Sequence, residues 1–137
     1  MNDFSGMDAL YRDFILDHYR NPRNAGTLEG PDASFEDLNP LCGDKIRMDL
    51  KIRDGVVEDV KFKGRGCAIS QASASLLTES IKGKKIAEID AIGKDDVLSN
   101  LGISISAARL KCALLGLKVL KQALALKYET ADEEPAS

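Results

Sequence analysis

The spacing of apolar residues divides the chain into a helical opening, a stretch of strict alternation and a helical remainder. From Met7 to Arg20 the larger residues Met7, Leu10, Tyr11, Phe14 and Ile15 recur at intervals of three and four, the period of one helix face. Asn21-Pro22 ends this helix, because proline disfavours helical backbone in the residue before it and has no amide proton to donate. Gly26, Gly30 and Pro31 mark the next stretch as a loop. Between Lys45 and Arg53, apolar Ile46, Met48, Leu50 and Ile52 alternate with charged residues, which predicts a half-buried strand whose charged face meets water. Asp54-Gly55 suits a two-residue hairpin turn, and Val57 to Lys63 returns with Val60 and Phe62 set against Asp59, Lys61 and Lys63. A shorter strand around Ser34 to Leu38 completes a small antiparallel sheet.

After Gly66 the pattern becomes helical again. Ala68 to Ile81 reads as a helix ended by Lys82-Gly83. Ile86 to Leu101 holds one or two short helical pieces, interrupted by Gly93, with Asp95-Asp96 opening the second. Ser106 can cap a long helix from Ala107 to about Tyr128, apolar on most of its circumference and therefore expected to be buried. Beyond it stand Glu129, Asp132, Glu133, Glu134 and Pro135, with no apolar side chain larger than alanine besides that proline. That composition predicts an acidic disordered tail over residues 128–137, following a single α+β domain over residues 1–127.

Bulk properties narrow the class. With 137 residues, 44% of them hydrophobic, the chain can bury one real core. The formal net charge is −3, and the tail supplies most of the acidity. Asp3 stands where a secretory signal would carry basic residues, and Ala113 to Leu126 is broken by Lys118, Lys121 and Gln122, so neither export nor membrane insertion is expected. Aromatic residues make up 5% of the chain, which leaves the lysine runs at Lys61, Lys63 and Lys82–Lys85 without stacking partners and argues for a wet surface over a nucleic-acid site. An odd number of cysteines without an export signal suits a reducing cytoplasm, where thiols serve metal or sulfur chemistry.

There are three such cysteines. Cys42 is followed by Gly43 and Asp44, and the glycine lets two side chains converge on one ion. Cys67 follows Gly64-Arg65-Gly66 at a predicted helix start, where unpaired amides and the helix dipole favour thiolate. Cys112 lies in the second turn of the last helix beside Arg109 and Lys111, cations that either are solvated or steer and stabilise anionic sulfur. Three thiolates and a carboxylate supply four ligands, the number that a tetrahedral zinc or one corner of an iron–sulfur cluster requires. The single histidine, His18, lies mid-helix in a separate motif and reads as a helix-end or packing residue.

Four separated motifs carry a resemblance. Asp17-His18-Tyr19-Arg20-Asn21-Pro22-Arg23-Asn24, Asn39-Pro40-Leu41-Cys42-Gly43-Asp44, the run from Gly64 to Ser75, and Lys111-Cys112 resemble, in order, the IscU/SufU/NifU-amino-terminal family of iron–sulfur cluster assembly proteins. The resemblance implies a three-stranded antiparallel sheet covered by helices, with Cys42, Asp44, Cys67 and Cys112 around zinc or a transient cluster. It implies sulfur supply, as a persulfide, by a pyridoxal-phosphate-dependent cysteine desulfurase of the SufS/IscS kind, and downstream cluster carrier or assembly proteins as recipients. Lys111 in place of a histidine, and Ser106-Ala107-Ala108-Arg109 without prolines, are SufU-like; the short separation of Cys67 from Cys112 is IscU-like. A SufU-type reading makes Cys42 the persulfide acceptor while Asp44, Cys67 and Cys112 retain zinc, a sulfurtransferase that holds no cluster. A scaffold reading, non-enzymatic, makes all three cysteines cluster ligands, with Cys112 or Cys67 as alternative acceptors. A purely structural zinc would normally be closed by cysteine and histidine alone.

Overall fold

A computed structural model describes residues 7–40, 43–102 and 104–132. The element order is α1 (Met7–Arg20), β1 (Ala33–Asn39), β2 (Asp44–Arg53), β3 (Val56–Arg65), α2 (Ala68–Ile81), α3 (Ile86–Asp90), α4 (Lys94–Leu101) and α5 (Ala107–Asp132). The strands form one antiparallel sheet in the order β1-β2-β3, an α+β fold in one domain. The hairpin turn is the expected one: Asp54 and Gly55 both take positive φ, +54° and +76°, which matches the twist of the flanking strands.

The inner face of the sheet carries Ile46, Met48, Leu50, Val60 and Phe62, all buried, against Leu77 and Ile81 of α2 and Leu115, Val119 and Leu120 of α5. A second cluster joins Ile15 of α1, Ala72 of α2, Leu101 of α4 and Ala113 of α5. The helices α2 and α5 therefore lie on the sheet, and α1 and α4 pack on those helices. Where α2 crosses α5, Gly116 faces Ala74 so closely that an added Cβ would sit 3.3 Å from Ala74 Cα, and Ser73 Oγ donates to Ala113 O at 2.7 Å. Small residues set this crossing distance, and the crossing fixes where Cys112 lies relative to α2.

The segment after α1 is stitched down by its own motif. Arg23 donates through its side chain to Asp17 at 2.7 Å and through its amide to Ser75 Oγ at 2.9 Å. Asn24 donates to Thr78 Oγ1 at 3.1 Å, while its carbonyl accepts the Phe62 amide at the edge of β3. His18 has the packing role expected of it: it is 2% exposed, with Nδ1 2.8 Å from Ser75 Oγ. Burial, and then the nearby Arg23 charge, lower its pKa, against smaller opposing effects of Glu79 and Asp17.

Three expectations are corrected. Phe14, read as part of the buried face of α1, is 41% exposed and meets His18 edge to face with ring centroids 4.8 Å apart. The charged face of the sheet is not wholly wet: Asp49 is 1% exposed, because the loop before β1 folds over it. Its carboxylate accepts from Ser34 Oγ, the Leu28 amide and Arg47 Nε. Burial raises its pKa, but these hydrogen bonds and the Arg47 charge outweigh that, and the net direction is down. Finally, α5 continues past Tyr128 to Asp132, so the first part of the segment expected to be disordered is helical. Residues 133–137 lie outside the described residues.

Candidate metal centre

Three of the four expected ligands meet at one end of the sheet. Asp44 opens β2, Cys67 is the N-cap residue of α2, and Cys112 lies near the start of α5. One carboxylate oxygen of Asp44 and the two Sγ atoms all lie within 4.8 Å of one another. Tetrahedral zinc with Zn–S bonds of about 2.3 Å has ligand–ligand edges of about 3.8 Å, so small side-chain adjustments close this triangle on an ion. Cys42 lies outside the described residues; it is separated from Asp44 only by Gly43, whose φ is +74° and whose amide bonds Asn39 O at 2.7 Å.

Each ligand is held by its element. Asp44 is fully buried, and its Oδ1 accepts the Cys67 amide at 2.8 Å, while Oδ2 lies 3.7 Å from Cys67 Sγ. The carboxylate thus satisfies an otherwise orphaned amide at the α2 amino-terminus, a favourable place for negative charge. Its hydrogen-bond partner lies 23 residues away in sequence, so it is not a turn acid bonded to its own backbone. A buried carboxylate with no ion pair among the described residues, facing two thiols, fits a cation. The donor set of one oxygen and two sulfurs fits zinc or iron, and when bound such a metal would hold these groups as thiolates and lower their basicity.

Sequence reasoning undervalued the glycines before Cys67. They are not merely flexible. A Cβ on Gly66, which has φ of +135°, would collide with Asp44 Oδ1 and come within 2.8 Å of Asp44 Cα. A Cβ on Gly64 would collide with Lys45 O and approach Gln71 Oε1 to 3.2 Å. Both absences of side chain let the β3–α2 turn close onto β2. The signal available in sequence was the Gly-x-Gly-Cys spacing itself.

The remaining candidates divide. Cys67 is partly exposed and Cys112 is 1% exposed. Arg109 and Lys111 are both exposed on the first turns of α5, and Lys111 lines a cleft of about 310 Å³ with Leu38, Pro40, Leu114 and Lys118.

The model of the NifU-like N-terminal domain matches residues 10–134, nearly the whole chain and all of the centre. The chain belongs to this family. Among its NifU-like relatives, the zinc-dependent sulfurtransferase SufU of Bacillus subtilis is 42% identical over 88% of this chain and 93% of its own. That alignment runs over 139 positions, more than this chain contributes, so SufU carries residues with no counterpart here. The iron–sulfur cluster assembly scaffold protein IscU of Escherichia coli K12 is 35% identical over 84% of this chain and 91% of its own. A solved structure of the amino-terminal part of a nitrogen-fixing NifU-like protein from Brucella abortus superposes with a TM-score of 0.73 at 25% identity, covering 91% of this chain and 99% of the other. The three-stranded sheet covered by helices is therefore the NifU-like fold. Among the described residues no helix is long and apolar enough to cross a membrane.

Proposed function

We propose that this protein works in iron–sulfur cluster assembly, accepting persulfide sulfur from a pyridoxal-phosphate-dependent cysteine desulfurase and building or relaying a cluster at Cys42, Asp44, Cys67 and Cys112. The observation that carries the reading is the convergence of Asp44, Cys67 and Cys112 within 4.8 Å at a site with an adjoining third cysteine in sequence. In the transfer step an acceptor thiolate attacks the terminal sulfur of the donor's persulfide. A new S–S bond forms, the old one breaks, and the donor's cysteine leaves as thiolate, with no net change in oxidation state.

Access orders the acceptors. A buried Cys112 suits a retained ligand, and a partly exposed Cys67 suits sulfur acceptance. Lys111 and Arg109, exposed on the approach, suit attraction of the anionic persulfide. A carboxylate among thiolates suits a cluster that must leave, because it holds iron less firmly than a fourth thiolate would.

A second reading is favoured by a specific observation, the 42% identity to a zinc-dependent sulfurtransferase together with lysine in place of histidine before Cys112. Here zinc stays on Asp44, Cys67 and Cys112 and Cys42 passes sulfur on without a cluster. Zinc, iron and acid-labile sulfide per chain, measured anaerobically before and after supplying desulfurase, cysteine and ferrous iron, separate the two. Iron and sulfide appearing together and lost in Cys67→Ser support the scaffold; persistent zinc near one per chain without sulfide supports the relay. No metal and no sulfur transfer would overturn both.

A further inference from the structure

The outer face of the sheet and the open edge of β3 meet beside the metal centre. Cross-strand register places Lys45 opposite Arg65 and Arg47 opposite Lys63, so four cations share two alternate rungs on the outer face. Like charges directly opposite one another destabilise a strand pair, and the arrangement calls for outside compensation. Lys45 meets Glu36 at 3.2 Å and Arg47 meets Asp49 at 2.9 Å. Among the described residues no ion pair engages Lys63 or Arg65. In a chain of net charge −3 this is a local concentration of positive charge.

The backbone beside these two cations is open as well. The Val60 amide is bonded to Asp59 Oδ1 at 2.9 Å, and two residues on, Phe62 exchanges bonds with Asn24 O and the Gly26 amide, each 2.8 Å. Because strand period is two, Gly64 turns its N–H and C=O to the same outer edge. There the covering segment has departed. Gly26, with φ of +126°, turns it away, and the Leu28 amide already bonds Asp49 on the outer face at 3.0 Å. A cleft of about 400 Å³ lies over the vacated position, walled by Tyr19, Pro22, Phe62, Lys63, Arg65 and Gln71, and it reaches Gly66 next to the metal centre.

We propose that this edge is the docking groove for an extended, acid-bearing segment of a partner protein, which adds to the ladder at Gly64 and sets its carboxylates against Lys63 and Arg65. Main-chain pairing at a strand edge accepts any extended peptide; the flanking cations select an acidic one. Asp132, the last residue of α5, lies about 30 Å along the helix from Cys112 and so far from the groove. Nucleic acid is disfavoured because Tyr19 is the one exposed aromatic ring on the cleft. The groove does not depend on which sulfur chemistry the centre performs.

The test is titration of the isotope-labelled full chain with a short alternating Glu-Val peptide, with a Lys-Val peptide and a short oligothymidylate as competitors. Amide shifts centred on Gly26, Gly64 and Arg65, slower hydrogen exchange at Gly64, and affinity falling with salt are expected. Lys63→Glu/Arg65→Glu is expected to weaken binding at least about tenfold, corresponding to the loss of about 1.4 kcal/mol, and Lys84→Glu/Lys85→Glu to leave it unchanged. If the first double variant does not fold, the Gly64 exchange rate in the unaltered chain decides. Equal binding of the Lys-Val peptide, tighter binding of the oligonucleotide at the same residues, shifts elsewhere, peptide-independent self-association through this edge, or no binding at millimolar peptide would each overturn the proposal.

Discussion

Asp44 Oδ1 accepts the backbone amide of Cys67 at 2.8 Å, while the other oxygen of the same carboxylate faces the Cys67 thiol. One side chain thereby ties the first residue of β2 to the first turn of α2 and offers a lone pair to an ion between them. Its two tasks respond differently to substitution. Asp44→Asn keeps an acceptor for the Cys67 amide but removes a fully buried charge. The metal-free protein is expected to unfold within about 1 kcal/mol of the original or to gain stability, while zinc affinity by chelator competition falls at least about tenfold. Parallel loss of both would show that Asp44 is structural only.

Gly66 and Gly43 flank the same centre, yet they are not equivalent. A side chain at Gly66 strikes Asp44, whereas one at Gly43 meets nothing within 4 Å. Gly66→Ala is expected to cost about 2–4 kcal/mol in denaturant unfolding, from overpacking and positive φ together, and to abolish metal binding. Gly43→Ala, with positive φ alone, is expected to cost about 1 kcal/mol and to retain metal.

His18 makes stability fall with acid. Its folded-state pKa lies below the unfolded value of 6.5, so its contribution is fully present above that pH and is lost as pH falls through the folded pKa. Asp49, also lowered, acts further down: its contribution is complete above the unfolded value near 3.8 and is lost as pH falls through its own folded pKa. Since His18 is the one histidine in the chain, melting temperatures followed from pH 8 to 5 isolate it. The original is expected to lose stability below about pH 6.5, and His18→Gln to show a flatter profile over the same range.

The crossing of α2 on α5 sets the third ligand. Gly116 lies one turn beyond Cys112, against the backbone of Ala74. Gly116→Val is expected to cost about 1–3 kcal/mol by forcing the helices apart and to weaken zinc binding with it. Ser73→Ala, which removes the bond to Ala113 O, is expected to cost about 1 kcal/mol and leave metal affinity within about twofold.

Much of this was legible in the sequence. Alternation from Ile46 to Ile52, the Asp54-Gly55 turn and the Gly83 helix stop correspond to β2, the hairpin and the end of α2 because each is governed by local periodicity or backbone sterics. Asp44, Cys67 and Cys112 were recognisable as a group by motif order, and they meet. The burial of Asp49 was not legible, since it depends on a loop whose Leu28, 21 residues away in sequence, lies across the sheet. Nor was the exposure of Phe14, since His18, one turn on, is the ring that is buried and bonded to Ser75 while Phe14 lies against its edge. The roles of Gly64 and Gly66 depend on how closely β2 approaches the turn, a distance that spacing alone does not encode.

The most direct test of the central claim is X-ray absorption at the zinc edge on protein loaded with one zinc per chain, compared between the original, Asp44→Ala and Cys42→Ser. Three sulfur ligands and one oxygen are expected in the original, three sulfurs with an exchangeable light atom in Asp44→Ala, and two sulfurs in Cys42→Ser. A shell of nitrogen and oxygen alone, or a sulfur count unchanged by Cys42→Ser, would contradict a centre built from Cys42, Asp44, Cys67 and Cys112.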